Sequence, residues 1–95
     1  METRILRVEA QTEPTQVTKK DGTQIAKCYV RLKELGSDYS DEYQAAVLGN
    51  LATVKLEKGE LVVASLRFQT HEANGAVYQD VTAQDLQRLN EVKAF

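Results

Sequence analysis

Apolar and polar residues alternate along this chain in several short runs, the period of a strand with one buried face. From Arg4 to Ala10, Leu6, Val8 and Ala10 share a face, which predicts a first strand. Gln11 to Gln24 is polar, holds the single proline, Pro14, and contains Asp21-Gly22. That pair is a hairpin signal because both residue types tolerate positive φ. The clearest alternation runs from Ile25 to Leu35. Ala26, Cys28, Val30 and Leu32 point one way, and Ile25, Lys27, Tyr29, Arg31 and Lys33 point the other. Gly36 to Glu42 reads as an acidic, small-residue loop and Tyr43 to Leu48 as a third strand. Leu51 to Leu56 fits one helical turn that Gly59 stops. Leu61 to His71 predicts a fourth strand, Asn74-Gly75 a tight turn, and Val77 to Ala83 a fifth strand. Beyond Thr82, Leu86, Leu89 and Val92 recur at helical spacing, so 87–95 reads as either a short helix or a frayed tail. The expected core is Leu6, Val8, Cys28, Val30, Leu32, Val62, Leu66, Val81 and Ala83.

Five short strands, with one helical turn between the third and fourth, follow the order of an all-β, five-stranded OB-fold Greek-key barrel. A small SH3-like barrel or an open sandwich also accommodates five strands. The connector at 49–59 favours the OB order, which places a helix there. The 95 residues make one domain, 1–95, small enough that copies of the chain would gain by covering surface on one another.

Charge narrows the picture. Lys and Arg number 12 against 14 Asp and Glu, net −2, which argues against a wholly basic nucleic-acid binder. The balance is uneven, however: residues 1–33 carry seven basic and four acidic groups, whereas 34–60 carry two and six. The positive charge sits in the first third. Cys28 is the one cysteine, which excludes an intramolecular disulfide and a cysteine zinc cluster. Between Ala26 and Val30 it reads as a small buried hydrophobe. No apolar run approaches the ~20 residues of a membrane helix, and no leader pattern is present. A reducing cytoplasm is the expected compartment, with no membrane partner.

For catalysis there is little material. His71 is the lone histidine, and neither a Gly-x-Ser-x-Gly elbow nor a glycine-rich phosphate loop occurs. No enzymatic activity, cofactor or metal is expected. Asp38, Asp41 and Glu42 read as a solvated loop, since calcium loops need more oxygen ligands at tight spacing. The outward face of 25–33 is different. Lys27, Tyr29, Arg31 and Lys33 set one ring among cations, and single-stranded nucleic acid needs that combination: bases stack on the ring and cations track phosphates. Ordinary exposed strands also carry Tyr and Lys, so the stripe alone does not decide. On the fourth strand Arg67 and His71 share one parity. Phe68 falls with Val62, Ala64 and Leu66, which assigns it to the core. Tyr43 heads the third strand and Tyr78 the fifth; each is either half-buried at a barrel end or presented to a ligand. Tyr39, in the acidic loop, is the weakest candidate.

Residues 43–83 resemble the bacterial single-stranded DNA-binding proteins. The matching residues are Tyr43, Val47-Leu48-Gly49, Leu51-Ala52, Lys58-Gly59, Leu66-Arg67 and Tyr78. Thr3-Arg4-Ile5-Leu6, Pro14, Gly22, Ala26 and the 27–32 strand fit more loosely, so the resemblance spans about 3–86. There are departures. Glu9-Ala10-Gln11 stands where the family has Gly-Asn-Leu, and Val47-Leu48-Gly49-Asn50 lacks the family's aromatic. The 49–59 connector is shorter, and the loop between the second and third strands is acidic. The family's acidic-tipped tail has no counterpart, so recruitment of other proteins through such a tail is not expected. By size and tail the chain also resembles primosomal replication protein N, a compact dimeric relative. The resemblance implies stacking by Tyr43 and His71, with Tyr78, and phosphate contact by Lys27, Arg31, Lys33 and Arg67. Tyr29 comes from the strand face itself. The implied function is non-enzymatic, weakly sequence-selective binding of single-stranded DNA in replication, recombination or plasmid and conjugative transfer, by a homodimer or homotetramer. The alternative is an OB-fold protein-interaction module that has lost nucleic-acid binding, which the net charge, acidic loop and missing aromatic favour. RNA is a third candidate ligand.

Overall fold

Six strands and a 3-10 turn follow one another in a computed structural model that describes residues 2–36 and 39–89. They are β1 (Glu2–Gln11), β2 (Thr15–Thr18), β3 (Gln24–Glu34), β4 (Glu42–Leu48), the turn Gly49–Thr53, β5 (Leu61–Ala73) and β6 (Ala76–Arg88). Hydrogen bonding runs in the order β1-β5-β6-β4-β3-β2, and β1 also pairs with β3. Five strands therefore close into a barrel, with β2 on its rim. Every pairing is antiparallel except β4 with β6, which meet at Ala46 and Thr82 in parallel.

Alternation decides the interior. Leu6, Val8, Cys28, Val30, Leu32, Val62, Leu66 and Ala83 are buried as expected, and Val81 packs against them partly buried. Ala45, Val47, Ala64 and Leu86 complete the filling. Two strands break the alternation with bulges. The β1–β3 register shifts between Val8 and Ala10, and Ala10 faces outward instead of continuing the Leu6–Val8 face. In β6 the register shifts opposite Ser65 and Leu66, so the inward residues Ala83 and Leu86 are three apart rather than two. That spacing imitates a helix in the sequence. Gln87 and Arg88, the first residues of the expected helix or tail, are strand residues paired with Val63 and Val62. Residues 90–95 lie outside the described residues.

The polar stretch after β1 contains a strand the alternation did not predict. Thr15–Thr18 has one apolar residue, Val17, and is held as β2 through a hairpin with β3. The hairpin closes at Asp21-Gly22, where Gly22 takes φ +88°. The Asp21 carboxylate accepts from the Thr23 hydroxyl and amide, which holds it below the usual carboxylate range.

β5 and β6 outrun the barrel. Among the described residues β1 pairs with β5 from Leu61 to Leu66, while β5 and β6 stay paired to Ala73 and Ala76. The excess forms an exposed arm, closed by Asn74 (φ 52°) and Gly75 (φ 80°), the left-handed pair that a two-residue hairpin turn requires. Phe68 corrects the expectation. It has inward parity but lies one step past the last core residue, Leu66, and is 39% exposed at the barrel end.

At the opposite end, the connector after the 3-10 turn is pinned by Gln11. Its Nε2 donates to the Val54 carbonyl (2.8 Å) and its Oε1 accepts from the Leu56 amide (2.8 Å). Leu56 is thereby held in the core, where it is buried. Gln11→Ala should cost about 1–2 kcal/mol, because it leaves the Leu56 amide unpaired at a partly buried site. Urea unfolding would show this as a lower midpoint at an unchanged slope.

Candidate nucleic-acid interface

The outward residues of β3 form one row, and pairing sets what lies beside each. Lys27 stands opposite Leu48, Tyr29 opposite Ala46, Arg31 opposite Gln44, and Lys33 opposite Glu42. The Lys27 ammonium lies over the Tyr29 ring, 5.1 Å from its centroid. Tyr29 is 39% exposed. Arg31 reaches Glu42 at 3.7 Å, with its side chain more than half exposed. This surface pair is worth little on its own.

The arm turns the row into a cleft. Between the β3–β4 face and the base of the β5–β6 arm lies a space of about 520 Å3, walled by Lys27, Tyr29, Gln44 and Ala46 on one side and by Gln69, Asp80 and Thr82 on the other. A smaller slot of about 170 Å3 continues past Tyr29 toward Arg31, and Tyr29 is a wall of both. Ala46 and Ala10 leave room around the ring.

The other sequence candidates fall in three places. His71 and Tyr78 are cross-strand partners on the arm, their rings stacked with centroids 5.3 Å apart at 22°. His71 Nδ1 lies 2.6 Å from the Asp80 carboxylate. Arg67 shares the arm face of Gln69 and His71, paired with Thr82. The walls of the cleft are formed by Gln69 and Asp80 rather than by Arg67 and His71. Lys33 and Tyr43 belong to the far end of the barrel. Tyr43 has inward parity opposite Leu32, and its hydroxyl accepts from Arg4 (2.6 Å) and donates to Glu34 (3.1 Å). Phe68 meets its ring edge-on, with centroids 5.8 Å apart, and the Arg4 guanidinium lies 5.4 Å from its centroid. Arg4 also pairs with Glu34 and Glu2. Tyr43 is thus built into a plug that closes the barrel, away from the Tyr29 row.

Gln44, Gln69, Asp80 and Thr82 escaped the sequence reading because they are neither aromatic nor cationic. The outward parity of the third strand did mark Gln44, opposite the buried Ala45 and Val47. Gln69 shares the outward parity of Arg67 and His71, but nothing local marked Asp80 or Thr82, because the arm's approach to β4 rests on the Ala46–Thr82 bridge.

No protein-family model matches the sequence, and no curated protein matches it. Solved structures do match in shape. The second OB-fold domain of replication protein A from Methanococcus maripaludis, solved by solution NMR, matches with a TM-score of 0.70 at 16% identity, over 97% of this chain and 86% of that one. Plasmodium falciparum SSB in complex with single-stranded DNA matches at 22% identity over 93% of this chain and 92% of that one, with a TM-score of 0.49, too low to carry an argument. The fold is therefore the OB fold.

Burial pushes the Tyr43 hydroxyl above the ordinary phenol range, and its bond to Glu34 pushes it further the same way. A raised value means that the folded state holds this proton longer than the unfolded chain does, so stability is lost as pH rises past the ordinary phenol value. Unfolding midpoints measured at pH about 8 and about 10.5, on either side of the ordinary value of about 10, should fall for the parent and fall less for Tyr43→Phe.

Proposed function

We propose that the chain is a non-enzymatic protein that binds single-stranded DNA along the cleft between the β3–β4 face and the β5–β6 arm. The observation that carries this reading is Tyr29: an exposed ring that walls both the cleft and the slot, with Lys27 on one side along β3 and Arg31 on the other. Every base has a π face, so a ring in such a groove accepts any sequence, and cations beside it meet the backbone. The sequence resemblance to bacterial single-stranded DNA-binding proteins supports the same reading. Replication, recombination and plasmid or conjugative transfer are the processes that such binding would serve.

Stacking has to carry much of the affinity. The net charge of −2 and the Asp80 carboxylate in the cleft wall limit the electrostatic share. Binding of oligo-dT, followed by tyrosine fluorescence in a chain without tryptophan, should therefore weaken with salt along a shallow slope. Each phosphate contact contributes about −0.7 to it. Tyr29→Ala should cost about 1–3 kcal/mol of binding, and Tyr29→Phe should keep most of it. Tyr43→Ala should affect stability rather than binding. Absence of oligo-dT binding at low salt would refute the reading in favour of a protein-interaction module. Loss on Tyr43→Ala but not on Tyr29→Ala would move the platform to the far end of the barrel.

Self-association belongs to the same proposal. Ile5 is half exposed on the outer face of β1, directly opposite Val63 of β5. An exposed isoleucine within a paired sheet gains by being covered, and a closed homodimer or homotetramer would cover it. Light scattering over a wide concentration range should give a multiple of the chain mass; a monomer throughout would rule this out.

A further inference from the structure

The slot beside Tyr29 has a chemistry of its own. Its walls are Tyr29, Arg31, Gln44, Thr12, Gln11 and Ala10. Arg31 sits between Ala10 on β1 and Gln44 on β4, one row across three strands. The bulge in β1 turns Ala10 outward, and its small side chain leaves the row open. Two of the polar walls are already committed. Thr12 is locked to the backbone of Tyr29, its amide donating to the Tyr29 carbonyl and its hydroxyl accepting from the Tyr29 amide, both at 2.9 Å. The Gln11 side chain bonds Val54 and Leu56 at its two ends. Arg31 and Gln44 remain to face a ligand. The Arg31–Glu42 contact involves Nε at 3.7 Å, longer than a hydrogen bond, and leaves the guanidinium fork available.

A base stacked on Tyr29 toward Arg31 would place one edge in this slot. A guanidinium fork presents donors only, in a plane. In a single strand both the Watson–Crick and the Hoogsteen edges are open, and two adjacent acceptors occur on guanine, O6 and N7, and on cytosine, N3 and O2; adenine sets a donor beside its acceptor, and thymine a donor or a methyl group beside O4. We propose that the slot reads a single guanine or cytosine, with Arg31 bidentate to O6 and N7 of the one or to N3 and O2 of the other, and that Arg31 is a specificity-determining residue at this position. This rests on the single-strand reading above and adds one base-selective position to a groove otherwise indifferent to sequence.

The test compares oligonucleotides of about ten nucleotides, inside the ~4–16 that one OB fold occupies: all thymidine, and the same strand with one central guanine, adenine or cytosine. The parent protein should bind the guanine and cytosine strands about five- to tenfold more tightly than the thymidine strand, the low end of what a bidentate pair discriminates, because the slot is open to water. Adenine should show no such gain. In Arg31→Lys the charge remains but the fork is lost, so the guanine-to-thymidine and cytosine-to-thymidine ratios should fall to about one. Equal affinity of the parent for all four strands overturns the proposal while leaving single-strand binding intact. A guanine or cytosine preference that survives in Arg31→Lys overturns it as well, because Arg31 is then not the reader. No binding to any strand overturns both this proposal and the reading it rests on.

Discussion

Closure of the sheet by β1 is the constraint on which the rest of this molecule depends. One strand pairs with β5 along one edge and with β3 along the other, and so removes both edges of an otherwise open sheet. The length of β1 also sets the length of the barrel. Among the described residues its pairing with β5 runs to Leu66; just beyond, β6 still meets β4 at Thr82, and from there the β5–β6 pair runs on as the arm. The arm, the cleft beneath it and the position of Phe68 at the barrel end all lie beyond the part of β5 that β1 covers.

The two ends of the barrel are closed by different means. Tyr43, Phe68, Arg4 and Glu34 close one end with rings and charge-assisted hydrogen bonds. The 3-10 turn and the Gln11-held connector close the other with apolar packing and backbone bonds. Between them, on the outward face of β3, Tyr29 and Arg31 are exposed and border the cleft and its slot. Electrostatics across that face are nearly balanced. Lys27 and Arg31 face Asp80 and Glu42, and Asp80 is itself held by His71. A groove of this kind attracts a polyanion weakly at long range and depends on contact at short range. That is why the exposed ring matters more here than the count of cations.

Much of the core was legible because period-two alternation is a local property. Leu6, Val8, Cys28, Val30 and Leu32 declare their face within three or four residues of themselves, and the Lys27–Tyr29–Arg31 row is the complement of that face. β2 was not legible, since one valine among Thr15, Gln16 and Thr18 makes no pattern and its pairing comes from the hairpin with β3. The helix or tail expected over 87–95 came from the spacing of Leu86, Leu89 and Val92, whereas Gln87 and Arg88 are held in β6 by pairing with β5, a contact that local spacing does not record.

The sequence by itself determined which side of each long strand faces inward, where the Asp21-Gly22 and Asn74-Gly75 turns fall, and that a tyrosine lies between cations on an outward face. Each of these is decided by residues within a few positions of one another. Only the tertiary structure decided where an inward-facing strand leaves the barrel, and with it the fates of Phe68 and Tyr43. Parity names a face, but burial at that face requires a partner strand alongside. The reach of β1 along β5 spans some sixty positions of sequence and leaves no mark near Phe68. The cleft has the same origin. Its two walls come from β3–β4 and β5–β6, and they meet because the barrel closes, not because of any pattern within either strand.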